Sequence, residues 1–334
     1  EILIGLVGSE MCIRDRFIVW ALVIVSGDKL IIYSLLLLFV TIAINIAYWF
    51  YSHKYLVANR FVLRSDKKLL AELTNFSGWN LFGGLADVGY KQGTNIILNL
   101  FFGVTVNAAL GITNQIRNAV FSFVSNLQLA ANPQIVKSYA AGEMDYFKTL
   151  VHRISKYSYF LMLILTFPVI LNIDLVLKIW LKNPPEYTAI FAVLTLIFCL
   201  IDSLTGPLWV AMQAGGKIQL FQIVTSICLL LNLPTCFAFL SWGYGPYTVL
   251  IIQIVITCFT LGVRLVFAKY YLQISIRYYL REVLFPIIGV TVFAIPVPLY
   301  ICTVSNGYTR LLFTILFMPC LLYTSPSPRD RSVS

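Results

Sequence analysis

The feature that most constrains this chain is the recurrence of apolar runs long enough to cross a bilayer. The plainest is "LIIYSLLLLFVTIAINIAYWF" at 30–50; a helical span needs about 20 predominantly apolar residues. Further runs fall at 76–102, 107–131, 154–173, 188–213, 218–241, 247–270, 283–304 and 309–322, which predicts nine spans. They do not alternate apolar and polar residues as the strands of a closed barrel do, so the spans are helices. A charged fraction of 11%, against about a quarter in soluble domains, excludes an ordinary soluble fold. The fold class expected is an all-α polytopic membrane protein.

Basic residues orient the spans. One alternate set of connections carries Lys54, Arg60, Arg64, Lys67, Lys68, Lys137, Lys148, Arg153, Lys156, Lys217, Arg264, Lys269, Arg277 and Arg281. The other carries only Lys29, Lys178, Lys182 and Arg310. By the positive-inside rule the first set is cytoplasmic. This placement accounts for the net charge of +10 without nucleic acid, which is not an expected partner. Cys199, Cys228, Cys236, Cys258, Cys302 and Cys320 sit singly in apolar runs with no metal-ligand spacing and read as small packing residues. His53 and His152 read as surface residues. Connections of at most about 25 residues leave no room for a soluble catalytic domain, and no cofactor or metal is expected.

Both ends break the pattern. "MCIRDR" interrupts an apolar run at 11–16, and "YTSPSPRDRSVS" closes the chain. The shared Arg-Asp-Arg reads as sequencing-adapter read-through, so 1–16 and 323–334 are set aside as non-native. Phe17 to Val25 then reads as the stump of a further helix, and the chain as a fragment of a longer protein. The longest hydrophilic connection, 51–75, contains "DKKLLAELTNF", whose apolar spacing suits a helix lying on the membrane interface. It is the natural boundary between the end of one lobe (17–50) and the core of another (76–271), with 272–322 as two additional helices.

Two spans carry polar stripes. Projected at 100° per residue, Gly84, Asp87, Lys91 and Thr94 all fall within about 40° of Asn80, with Asn95 at the border. Asp87 and Lys91 are one turn apart in the favourable order, acid first, and can pair. The next span aligns Asn107, Asn114, Asn118, Ser125 and Asn132, with Arg117 and Gln128 at the edge. An unpaired charge near the bilayer centre costs about 2.5 to 3.5 kcal/mol, so such faces line a bundle interior or a wet cavity. The stripes act either as interhelical glue or as the wall of a hydrated cavity. Asp202, in "FCLIDSLTGPLWVAM", is a further intramembrane acid, either a proton or cation site or one half of an interhelical pair.

Several stretches carry a family resemblance: "FSGWNLFG" (76–83), "NIILNLFFG" (95–103), "FVSNLQLAANPQIVKSYAAGE" (123–143), "LKIWL" (177–181), "PEYTAIF" (185–191) and "GPLWVAMQAGGKIQLFQIV" (206–224). The chain resembles the multidrug/oligosaccharidyl-lipid/polysaccharide flippase superfamily, especially lipopolysaccharide and polysaccharide biosynthesis proteins of the Bacteroidetes type. The resemblance implies a two-lobed inverted-V flippase fold of which this chain holds the second lobe, monomeric at full length, in the bacterial inner membrane. It also implies a substrate, an undecaprenyl-diphosphate-linked oligosaccharide, moved by alternating access without any enzymatic step. Relatives often carry uncharged polar residues at the positions of Asp87 and Lys91, so that pair rests on the helical projection alone.

On this reading Lys91 and Arg117 meet the diphosphate, Asp87 positions Lys91, and Asn95, Asn107, Asn114, Gln115 and Asn118 meet sugar hydroxyls or the cavity wall. A drug or cation antiporter of the same superfamily is the alternative, with Asp87 or Asp202 as the coupling acid. A membrane enzyme acting on lipid-linked sugars lacks any His–Asp pair within a span or any DxD.

Overall fold

The structure is a computed structural model and describes residues 29–55, 66–181, 183–216 and 218–294. The helix stump, both chain ends, the span 309–322 and residues 295–304 of the span 283–304 lie outside the described residues. Among the described residues there is helix and no strand, and six helical segments are long and apolar enough to cross a membrane. The chain divides into two compact units, residues 1–67 and 68–334.

The first unit contains α1 (Lys29–Tyr55). It is apolar on every side and presents Leu35, Phe39, Trp49 and Phe50 outward, as a helix solvated by lipid does. Two of its polar groups bond within the helix: Thr41 Oγ1 donates to the Leu37 carbonyl at 2.7 Å and Asn45 Nδ2 to that of Thr41 at 2.8 Å. With no water in the bilayer core, local partners are the only ones on offer.

The second unit opens with α2 (Lys67–Ala140), 74 residues long. At 1.5 Å per residue it would extend about 110 Å, over three times the hydrocarbon thickness. It is two arms meeting at Gly103, where φ is 77° and ψ is −169°. A residue with a Cβ resists that conformation. The two predicted spans 76–102 and 107–131 therefore form one helical hairpin with a single-residue apex. The first arm buries Gly83, Ala86, Tyr90, Thr94 and Leu98, a stripe at intervals of three and four. The second buries Ala109, Thr113, Val124, Gln128, Ala131 and Ile135 in the same rhythm.

Next come α3 (Met144–Leu171) and the short α4 (Ile173–Leu181). The following span is broken: α5 (Thr188–Asp202) and α6 (Thr205–Ala214) are separated by a tight turn at Ser203–Leu204. Another broken span pairs α7 (Gln219–Leu230) with α8 (Asn232–Ser241). Then α9 (Thr248–Leu272) ends at Gln273, whose left-handed φ of 55° lets its amide cap the Ala268 carbonyl. A single turn, α10 (Ile276–Tyr279), leads through a π-helical stretch (Leu280–Leu284) into α11 (Phe285–Ala294).

Both breaks have a covalent cause. Proline lacks an N–H, so the carbonyl four residues earlier loses its partner; Pro207 frees the carbonyl of Ser203, and Pro234 that of Leu230. The first is satisfied from another helix: Gln128 Nε2 donates to Ser203 O at 2.9 Å and contacts Ser158 Oγ at 3.1 Å. Gly206 makes this possible, because a Cβ there would collide with Gln128 Oε1. Gly93 is a second close approach, where a Cβ would meet the methyls of Leu233 at 2.7 and 2.8 Å. The main core joins Val124 and Ile135 of α2 to Met162 and Leu163 of α3, Leu208 of α6 and Leu265 of α9.

Two expectations are corrected here. His152 is not a surface residue: it is buried in α3, with Tyr278 and Tyr279 rings 5.2 and 5.5 Å away. A lone polar residue on an amphipathic helix gives no sign of its face once aromatic residues from a distant segment cover it. Arg264 is not a loop cation: it lies inside α9, part-buried, and donates from Nη1 to the Thr205 carbonyl at 3.3 Å. The broken span supplies a carbonyl that offsets the cost of holding a charge there.

Candidate functional site

The hairpin at Gly103 folds the two arms of α2 side by side, which brings Asp87 and Lys91 onto the same wall as Arg117. Together with α5, the start of α6, α7, α8 and α9 they enclose a cavity of about 110 Å³. That is room for about four waters at liquid density, or one small charged group. The broken spans contribute Phe198, Asp202, Thr205, Leu229 and Asn232, and α9 contributes Gln253, Ile256, Thr257, Thr260 and Arg264.

The charges are arranged in pairs. Lys91 Nζ lies 2.6 Å from Asp87 Oδ2, the predicted intrahelical pair, with both side chains nearly half exposed. Arg117 Nη2 lies 3.9 Å from Asp202 Oδ2, and both are about three-quarters buried. At that distance the second contact is an ion pair without a hydrogen bond. Asp202 Oδ1 instead accepts from Thr205 Oγ1 at 3.1 Å, while the Arg117 guanidinium sits 4.9 Å from the Phe198 ring centroid. Asp202 is thus an interhelical partner of Arg117.

Arg264 is the third cation. Its Nη1 holds the Thr205 carbonyl, its guanidinium lies 5.9 Å from the Phe221 ring, and its Nε is buried without a partner. The cavity therefore holds Lys91, Arg117 and Arg264 against Asp87 and Asp202, three positive charges to two negative. Neutral groups complete the wall. Asn232 is 2% exposed, and its Oδ1 accepts from Cys236 Sγ at 3.1 Å. Thr257 and Thr260 donate to carbonyls one turn back, at 2.8 Å each, leaving lone pairs as acceptors.

The predicted site residues divide. Asp87, Lys91, Arg117 and Asp202 line one cavity, whereas Asn95, Asn107, Asn114, Gln115 and Asn118 do not. Asn95 shares a 3.4 Å contact with Gln92; Asn107 and Asn114 are half-buried, and Gln115 and Asn118 are exposed. The packed face of the second arm runs through Thr113, Arg117, Val124 and Gln128, and the asparagine stripe is rotated about 60 to 100° from it. Other stripe members hold helices together. Gln128 bridges α2, α3 and the break before α6, and Asn80 Oδ1 accepts from Gln213 Nε2 of α6 at 3.0 Å.

Four lining residues escaped sequence reading although a signal existed. Gln253, Thr257, Thr260 and Arg264 follow one another at four, three and four residues, one face of α9. Counting Arg264 among the loop cations hid that stripe.

No curated protein matches this chain, and no solved structure does. The MatE family model matches residues 81–238, which run from the first arm of the hairpin to α8. That segment carries Asp87, Lys91, Arg117, Asp202 and Asn232; the α9 stripe follows it. Over that segment this multi-pass membrane protein is similar to the MatE family of multidrug and flippase-like transporters, proteins that move a solute across the membrane and are not enzymes.

Proposed function

We propose that the protein is a flippase whose cavity holds the anionic diphosphate of a lipid-linked oligosaccharide while the lipid tail stays in the bilayer. The observation that supports this is the charge of the cavity: Arg264 adds a third cation to Lys91 and Arg117, against two acids that are already paired. An arriving diphosphate exchanges with Asp202 on Arg117 and takes the free Nε edge of Arg264, a planar donor edge suited to phosphate oxygens. A volume of about 110 Å³ accommodates the charged group alone, so the sugars extend beyond it. Transport then follows from exposing the cavity to one face and then the other, with no bond made or broken. The resemblance to polysaccharide flippases supports the oligosaccharide, and the bacterial inner membrane is the compartment that goes with it.

A second reading is a drug or cation antiporter, and the MatE match favours it over the first. In it Asp202 is the coupling acid, releasing Arg117 when protonated.

Calorimetric titration of the detergent-purified chain separates the two. The probes are farnesyl diphosphate and tetraphenylphosphonium. Truncating one charged hydrogen-bonding partner costs about 1.5 to 3 kcal/mol, roughly 10- to 100-fold in affinity. The flippase reading expects diphosphate binding weakened by that factor in both Lys91→Ala and Arg264→Ala. The antiporter reading expects cation binding with proton release, lost in Asp202→Asn and indifferent to Arg264→Ala. Diphosphate binding that is insensitive to both cation variants removes the first reading.

A further inference from the structure

On the membrane face opposite Lys137, Lys148 and Arg153, the connection between α3 and α5 encloses a second pocket, of about 500 Å³. It is lined by Asp174, Leu177 and Lys178 of α4, by Pro184 and Pro185, and by Tyr187 and Thr188 at the start of α5. We propose that this pocket is a binding site for a phosphoethanolamine headgroup of an outer-leaflet bilayer lipid.

The design of α4 supports this. Ile173 and Leu177, one turn apart, are buried and fasten the helix to the protein. Ile179 and Trp180 are 55% and 47% exposed. Exposed apolar and indole side chains on a short helix joining two spans suit the headgroup boundary, where Trp concentrates. The pocket therefore opens where lipid headgroups lie. Asp174 and Lys178 stand one turn apart on the remaining face, and neither forms an ion pair with any described residue. Two unpaired opposite charges at that spacing match a zwitterion: Lys178 faces the phosphodiester and Asp174 the ammonium.

The pocket floor supplies a separate observation. Thr188 is completely buried, and its Oγ1 has no hydrogen-bond partner. A buried hydroxyl without a partner costs about 1 to 3 kcal/mol; Thr188 Oγ1 is closed off beneath the pocket, and rotation of its side chain towards a bound phosphodiester or glycerol oxygen would satisfy it. Tyr187, beside it, holds a left-handed φ of 66°, a conformation that costs a non-glycine residue free energy and clusters at ligand sites. A choline headgroup has no N–H to give Asp174, and a headgroup with no cation leaves that carboxylate facing a phosphate. The chemistry thus selects ethanolamine over choline and glycerol.

The test is native mass spectrometry of the full chain released from nanodiscs containing equal parts phosphatidylethanolamine, phosphatidylcholine and phosphatidylglycerol. Wild type is expected to retain phosphatidylethanolamine at least 10-fold over the other two. Lys178→Ala and Asp174→Asn, exposed positions whose replacement leaves the fold intact, should each abolish that preference; Thr188→Val should weaken it several-fold. Equal retention of the three lipids by wild type overturns the proposal, as does a preference that survives the double variant Asp174→Asn/Lys178→Ala. Retention of free phosphoethanolamine by the lipid-free chain, together with no preference among the three lipids, also overturns it, by showing a soluble ligand.

Discussion

Replacing Gln128 tests the physical account of the broken span most directly. Its side chain makes two interhelical contacts, to Ser203 O at 2.9 Å and Ser158 Oγ at 3.1 Å. The first is the partner that Pro207 denied to that carbonyl. Interhelical hydrogen bonds in membranes average about 0.6 kcal/mol, and a buried carbonyl left without a partner costs about 1 to 3 kcal/mol. Gln128→Ala should therefore destabilise the protein by roughly 1 to 3 kcal/mol by these principles. Gly206→Ala should cost about as much, because its methyl would occupy the place of Gln128 Oε1 and force the amide out of both contacts. In the Gln128→Ala background the collision is gone, and alanine is the better helix former by about 1 kcal/mol. There Gly206→Ala should be neutral or stabilising. The assay is reversible unfolding of wild type, both single variants and the double variant in mixed detergent–lipid micelles. Coupling of about the size of either single effect is expected; additivity within about 0.5 kcal/mol would refute the lock.

Further outcomes are expected elsewhere in the molecule. Gly93→Ala should destabilise by about 1 to 3 kcal/mol through overpacking against Leu233, measured by the same unfolding assay, and Leu233→Ala should relieve it. His152→Phe should raise the melting temperature, because both ring nitrogens are buried without partners while Tyr278 and Tyr279 supply aromatic contacts that a phenyl ring retains; a lower value means that an internal water serves the imidazole. For orientation, cysteines placed at Lys137 and Lys178, both exposed, should react oppositely with a membrane-impermeant maleimide. In intact cells the second labels at once, and the first only after lysis; the reverse pattern inverts the topology.

Much of the fold was legible because it follows from local sequence and from the partition between water and lipid. Apolar length marked the spans, and the Asp87–Lys91 pair followed from helical spacing alone. Where the sequence named groups without their geometry, the missing information was the relation between helices. The boundary between 102 and 107 was visible, but that one glycine turns both arms onto a shared wall was not. Asp202 stood as a proton site or a pair partner, and only packing set Arg117 beside it. The asparagine stripe projected as a continuous face, yet the packed face of the second arm lies to one side of it, through Arg117 and Gln128. Arg264 looked like a loop cation because its partner, the Thr205 carbonyl, is 59 residues away. Gln128 and Ser203 are 75 residues apart. Periodicity reports which side of a helix is polar, because that depends on neighbours three and four residues away. Which charge answers which, and which carbonyl freed by a proline finds a donor, depends on atoms that only the packed helices bring within 3 or 4 Å.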